Sequence, residues 1–302
     1  MELQKSYHVF PMIADLHAIT VPQEPEELHK KILEVAALLI ACGIDPKKSV
    51  VFVQSHVSAH AELGWILNTM TPVGELERMT QFKEKTEKAG VLAGLLNYPT
   101  LMAADILLYQ AQTVPVGDDQ IQHLELTRTL AKKFNNRFGD TFTIPQTLIQ
   151  KDTARLMGLD DPSKKMSKSA GSANNYIAML DSTEEIRRKI KIAVTDSEKE
   201  VTYDEDGKPA IANLMRIYRA FSDMAVDEIE KKYSGKGYGD FKNDLAELLV
   251  EKLTPIQKRY TELSRDESSI RAILASGAAS ANTIADKTLR DVQQKIGFVI
   301  AQ

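Results

Sequence analysis

The chain of 302 residues carries one cysteine, Cys42. A single thiol excludes an intrachain disulfide and any zinc site built on cysteines, a usage that suits a reducing compartment. No apolar run reaches the ~20 residues that a helix needs to cross a bilayer, and no basic start runs into an apolar stretch as a secretion signal does. A cytoplasmic protein without a membrane partner is therefore expected. An excess of positive charge is also missing, since 38 Lys and Arg face 42 Asp and Glu for a net charge of −4. That balance disfavours a globally basic nucleic-acid binder and confines any RNA contact to a local patch. Repeats and low-complexity segments are absent as well. What remains is ordinary globular composition, 43% hydrophobic and 26% charged, in a chain long enough for one large domain or two smaller ones.

Residues 7–14 (YHVFPMIA) and 49–54 (SVVFVQ) are short apolar runs that read as buried strands. Between them Leu28, Ile32, Val35, Leu38 and Leu39 recur at steps of three and four. Acidic residues fill the first turn and Gly43 stands at the end, which predicts a helix over 25–42. Further helices are expected over 59–70, over 98–109 with Pro99 opening it, and from 120 to about 134, with a short strand at 113–116. The alternation points to βαβ units and an α/β fold. Residues 143–175 read as loop. Beyond 181 the pattern is helical throughout, over 183–194, 210–222, 225–233, 240–264 and 283–300.

Three stretches carry candidate chemistry. Lys165 and Lys168 stand three apart, with Met166 and Ser167 between them and Ser169 following, so two ammonium groups and two hydroxyls can converge on one polyphosphate. A solvated lysine loop is the alternative. Asp105 lies among the apolar residues of 101–109, where its carboxylate either accepts a ligand N–H or pairs with a helix end or an arginine. Gly117-Asp118-Asp119-Gln120 follows a strand and opens a helix, the usual place for a ligand in an open parallel sheet. It also reads simply as a helix start with favourable acidic residues. His56 and His60, four apart, share a helix face, but no third ligand is evident and no metal site is expected.

Together these stretches resemble one family. Residues 15–20 (DLHAIT), 74–83 (GELERMTQFK), 101–109 (LMAADILLY), 114–120 (VPVGDDQ) and 165–169 (KMSKS) are similar, in order and spacing, to the bacterial tryptophanyl-tRNA synthetases. The last block matches the second signature of class I aminoacyl-tRNA synthetases, and the middle blocks favour the tryptophan enzymes over their tyrosine-specific siblings. The resemblance implies a doubly wound, Rossmann-like parallel sheet over 1–180 that binds nucleotide and tryptophan. An all-helical, tRNA anticodon-binding domain over 181–302 and a homodimer are implied with it. It implies activation of L-tryptophan by ATP, with Mg²⁺ carried on the ATP, and transfer to tRNA(Trp).

On this resemblance Lys165 and Lys168 hold the triphosphate and stabilise charge on the departing pyrophosphate. Met166 packs the loop, and Ser167 and Ser169 donate hydrogen bonds or shape it. Gly117, Asp118 and Asp119 form the adenosine turn, and Leu156 packs on the adenine. Asp105 accepts the indole N–H, Tyr98, Met102, Val114 and Val116 wall the pocket, Gln120 faces the amino acid's polar end, and His17 lies beside it. For Met102 and the two valines, core packing is the alternative. Two departures qualify the match. The family's opening strand, Pro-Ser-Gly turn and His-Ile-Gly-His-like element fall ahead of the position of Met1. Residues 170–175 (AGSANN) replace a more acidic, proline-containing continuation. Weak tryptophan binding and poor activation by these 302 residues are the resulting expectation, with a catalytically impaired tryptophan- or tRNA-binding module as the rival.

Overall fold

Residues 1–79, 92–148, 156–167 and 171–300 are described in the computed structural model of the chain. They form two compact units, Met1–Ile149 with Tyr260–Gln302, and Gln150–Arg259.

In the first unit, strand β1 (Met12–Ile13) pairs in parallel with β2 (Phe52–Val53), Met12 opposite Phe52. A parallel bridge between Val9 and Ser49 extends the pairing backwards. The strands are shorter than the apolar runs suggest because Pro11, which accepts from Phe52 N–H, has no N–H to give in return. A parallel pair needs a crossover, and α1 (Asp15–Ala18) followed by α2 (Pro25–Ala41) supplies it. Proline at the first helical position and Glu26 and Glu27 in the first turn start α2, and Gly43 at φ 105° stops it. Ala36 and Ala37 of α2 pack with Ile13, Val51 and Val53 in one apolar cluster.

Helices α3 (Ala59–Asn68), α4 (Val73–Glu77) and α5 (Ala93–Leu107) follow. The last of these begins five residues earlier than expected, so Pro99 lies inside it rather than at its start. The second parallel pair joins β3 (Thr113–Pro115) to β4 (Gln146–Leu148) through α6 (Ile121–Phe138), with Val114 opposite Thr147. Strand β4 falls where a loop was expected; three residues beginning Gln-Thr after Pro145 carry no readable period. Its approach is set by Gln110, a non-glycine at φ 50°. The Gln110 side chain donates to Thr141 O at 3.0 Å and accepts from Thr143 N at 2.8 Å.

The second unit is helical: α7 (Thr183–Ile192), α8 (Pro209–Ser222), α9 (Val226–Tyr233) and most of α10 (Tyr238–Ser264). Ile186, Ile190, Ile211, Leu214, Tyr218, Phe241 and Leu245 form its core. The chain then returns to the first unit through α11 (Glu267–Ile296). The compact units divide at other places than the expected 180/181 boundary, and 260–302 groups with the strands. The cause is a small-residue face. Ala278, Ala281 and Ala285 are buried, and Gly277 sits so close to β2's approach that a Cβ there would lie 1.9 Å from the carbonyl oxygen of Val51. Asp266 caps the helix start by accepting from Ser269 N at 3.0 Å, and Gly297 at φ 91° ends it.

Candidate active site

Residues 98, 102 and 105 of α5, with 109 just past its end, follow steps of four, three and four and so share one helical face. Asp105 is the centre of that face. Its side chain is 8% exposed and takes three hydrogen bonds. Gln54 Nε2 donates to Oδ1 at 2.7 Å, His60 Nδ1 lies 2.6 Å from the same oxygen, and His17 Nε2 lies 2.7 Å from Oδ2. Burial alone pushes the carboxyl up, but the hydrogen bonds from His17 and His60 outweigh it and hold Asp105 below the usual carboxylate range. The expected alternative of a partner at a helix end or an arginine is not what is found; the partners are two histidines and an amide.

The supports are themselves supported. Gln54 is fully buried, and its Oε1 accepts from Leu16 N at 3.1 Å, which turns its NH₂ toward Asp105. Asp15, the residue before, accepts from Leu16 N and Ser55 N, each at 3.0 Å, and ties the ends of β1 and β2 together. His60 is fully buried on α3 and its Nε2 lies 2.8 Å from Tyr109 Oη. Burial first, and then the charge of Asp105, keep the Tyr109 phenol protonated far above its ordinary range. Phe10 stacks on the Tyr109 ring at 4.9 Å. Tyr98 is buried, bonded to His123 Nε2 at 2.6 Å, and meets the His17 ring edge-on at 6.2 Å; burial pushes its phenol up to about 12. Met102 is half-buried on the same face.

Val114 and Val116 are half-buried at β3 and just after it, and Val116 N–H donates to Leu148 O at 3.1 Å. Gly117 then leads into a short turn in which Asp118 and Asp119 are exposed. Gln120 N–H donates to Gly117 O at 3.0 Å and its side chain to Asp119 Oδ2 at 2.8 Å. A Cβ on Gly117 would stand 3.1 Å from Asp119 Oδ1, so the glycine keeps this turn tight. A depression of about 650 Å³ elsewhere in this unit, with His8, Lys47, Lys48, Ser276 and Ser280 on its wall, contains none of the expected site residues.

The lysine signature lies in the second unit. Lys168 and Ser169 fall outside the described residues, as do residues 80–83 of the second family block. Lys165 is exposed and its backbone bridges Met157 in antiparallel sense. Lys164 pairs with Asp161 at 2.8 Å. Two asparagines hold the backbone. Asn213, 1% exposed on α8, bonds both Met157 N and Met157 O at 2.8 Å, and Asn175 Oδ1 accepts from Ser167 N at 2.9 Å. Glycine at 158 leaves room for this clamp, since a Cβ would lie 2.1 Å from Asn175 Nδ2 and 3.0 Å from Asp161 O. Leu156 and Met166 pack against the core of the second unit, and Met166 N–H donates to Leu156 O at 2.9 Å.

Gln54 and Tyr109 were not among the sequence candidates for ligand binding, His60 was weighed only as a metal ligand with His56, and Asn213 and Asn175 were not singled out at all. A signal existed for His60. It falls on the buried stripe of α3 with Leu63 and Leu67, where an imidazole needs a polar partner. Its i,i+4 relation to His56, which suggested a shared metal, is incidental to the bond with Asp105.

The chain matches the family described as tRNA synthetases class I (W and Y) over residues 1–254. It is 53% identical over 299 residues to the tryptophan–tRNA ligase of Caldanaerobacter subterraneus subsp. tengcongensis, covering 99% of this chain and 91% of the relative. Among solved structures it superimposes on the tryptophanyl-tRNA synthetase of Mycoplasma pneumoniae with a TM-score of 0.92 at 37% identity, covering 99% of this chain and 90% of that one. The tryptophanyl-tRNA synthetase of Campylobacter jejuni, solved with ADP and tryptophan, gives a TM-score of 0.83 at 38% identity, with 98% and 92% covered.

Proposed function

The chain belongs to the class I tRNA synthetases of the tryptophan and tyrosine type, and we propose that it works as a tryptophan–tRNA ligase. It would activate L-tryptophan with ATP to the adenylate, release pyrophosphate, and pass the tryptophanyl group to the 3′ ribose of tRNA(Trp). The observation that carries the choice of tryptophan is the buried, anionic Asp105. Tryptophan offers an N–H that phenylalanine lacks, and a buried carboxylate left without that donor penalises the wrong side chain. Among the described residues Oδ2 receives one side-chain bond, from the partly exposed His17, and is the oxygen that an indole N–H can reach. Half identity to a tryptophan–tRNA ligase supports the same reading over the tyrosine-specific alternative.

Activation is an in-line attack of the amino-acid carboxylate on the α-phosphorus, so the protein needs no nucleophile and acts by positioning and neutralising charge. Lys165 and Lys168 supply positive charge for the triphosphate, and Mg²⁺ arrives on the phosphate oxygens rather than in a protein cage. Gly117, Asp118 and Asp119 receive the adenosine, with a carboxylate available to the ribose hydroxyls, and Leu156 packs on the adenine. Tyr98, Met102, Val114 and Val116 wall the side-chain pocket, and Gln120 faces the amino group or carboxylate. The helices of 181–302 carry the tRNA contacts. Exposed Ile19, Trp65, Val73 and Leu92 in the first unit support a homodimer, which sedimentation velocity checks directly. Among the described residues no helix is long and apolar enough to cross a membrane, and a cytoplasmic site of action fits the free Cys42.

The test is tryptophan-dependent ATP–pyrophosphate exchange. Exchange that requires tryptophan, is not supported by tyrosine, and falls at least about tenfold in kcat/KM for tryptophan in Asp105→Asn supports the assignment. Exchange unchanged in Asp105→Asn removes that residue from side-chain selection.

A further inference from the structure

We propose that His60 and Tyr109 are positioning residues for tryptophan selection, acting through Asp105 without touching the substrate; this rests on the reading of Asp105 as the indole acceptor. Three contacts carry it. His60 Nδ1 and Gln54 Nε2 both bond Oδ1, at 2.6 and 2.7 Å. Two donors on one carboxylate oxygen occupy its two lone-pair directions and fix the plane of the group. The other oxygen, Oδ2, is thereby turned toward His17, whose side chain is 21% exposed and is the Asp105 partner closest to solvent.

The choice of imidazole tautomer follows from the far side of the ring. His60 Nε2 meets Tyr109 Oη at 2.8 Å, and the half-buried phenol keeps its proton to donate. Nε2 therefore accepts and Nδ1 carries the hydrogen that Asp105 needs. Were the tautomer reversed, two acceptors would face each other at 2.6 Å, and the carboxylate would have to rotate. The amide of Gln54 is fixed in the same way by Leu16 N–H. A chain of donors thus runs from Tyr109 through His60 to Oδ1, in an interior where His60 and Gln54 have no exposed surface. Its function is to hold one oxygen in place so that the other can discriminate, which is the role of supporting contacts around a precise binding group.

The readout is the ratio of kcat/KM for tryptophan to that for 3-(3-benzothienyl)alanine, in which sulfur replaces the indole N–H, measured by ATP–pyrophosphate exchange. Asp105→Asn, His60→Asn, His60→Leu and Tyr109→Phe are compared with the unaltered chain. The expected result is a ratio lowered about tenfold in His60→Leu, from the loss of one bond to a charged group, with the KM for ATP unchanged. His60→Asn, whose amide N–H takes the place of Nδ1–H, restores most of the ratio, and Tyr109→Phe lowers it about threefold. A purely structural role for His60 predicts that both amino acids lose equally. An unchanged ratio in His60→Leu, or equal loss for both substrates, overturns the proposal. Where His60→Leu does not fold, Tyr109→Phe decides, since it removes one hydroxyl, and an unchanged ratio there overturns the proposal equally. Asp105→Asn separates the two levels. If its ratio stays at the unaltered value, the reading of Asp105 itself fails; if its ratio collapses while the His60 and Tyr109 variants keep theirs, only the positioning role fails.

Discussion

Around Asp105, side chains from positions 17, 54, 60 and 109 bond in a nearly closed interior, each held by a further partner or ring. Along 157–167 the arrangement is reversed: Lys164 and Lys165 face solvent, and it is the backbone that buried or half-buried groups hold, through Asn213 and Asn175. The difference matches the two tasks proposed for these residues. Rejecting an amino acid that lacks one N–H requires an acceptor that cannot turn to water for compensation, so rigidity and burial are needed. Neutralising a polyphosphate requires cations that can meet a solvated, highly charged ligand, and here the lysines stand exposed on a segment whose backbone is held.

If the two regions divide the work in this way, single substitutions should separate along the same line. Lys165→Ala is expected to lower kcat for exchange by about 10²–10³-fold, the loss typical of one group that stabilises transition-state charge, while leaving the KM for tryptophan within about twofold. Steady-state exchange at varied tryptophan checks it, and a parallel rise in tryptophan KM breaks the comparison. Asn213→Ala attacks the same segment from beneath. It leaves the N–H and C=O of Met157 without the side chain that bonds both, at a cost of about 1–3 kcal/mol for a buried unsatisfied group. Urea unfolding followed by circular dichroism measures that, and the ratio of tryptophan to its benzothienyl analogue should not move, because Asp105 belongs to the other unit.

The helix against β2 offers a smaller and purely structural contrast. Gly277→Ala places a methyl on the carbonyl of Val51 and should destabilise the first unit by about 1–3 kcal/mol, the usual cost of forced repacking. The same site shows why part of the fold was not legible. Ser276 to Asn282 is a run of Ser, Gly, Ala and Asn with no large apolar period, so a helix was expected only from 283, whereas the structure begins it at Glu267. Small residues bury by letting backbones approach, and that contact has no counterpart in a hydrophobic pattern. Strands β1, β2 and β3 were legible because they are apolar, and β4, polar and three residues long, was not. In the site, Asp105 was legible as a lone charge in an apolar run. Its partners come from 45 to 88 positions away, and no local spacing encodes such a contact. Asn175 and Asn213 have the same problem, since a polar residue that clamps a distant backbone looks like any other asparagine.

Acid sharpens the comparison through the two carboxylates that the structure holds lowest in each region. The Asp105 side chain is buried, and Asp161, with a value of about 2, is partly exposed beside Lys164 and Ser163. Both are depressed in the folded state, so each contributes stability that is present above the unfolded carboxylate value near 3.9 and is lost as pH falls through the folded one. The sizes differ because the partners of Asp161 are solvated and screened, whereas protonating Asp105 breaks bonds inside the protein. Unfolding midpoints measured from pH 7 down to pH 2.5 should therefore fall below about pH 4, and Asp105→Asn, already lower at pH 7, should approach the unaltered chain as the pH drops. Asp161→Asn should run nearly parallel to the unaltered chain throughout. A curve for Asp105→Asn that keeps a constant offset down to pH 2.5 would mean that its bonds with His17 and His60 survive protonation, and that charge is not what holds the recess together.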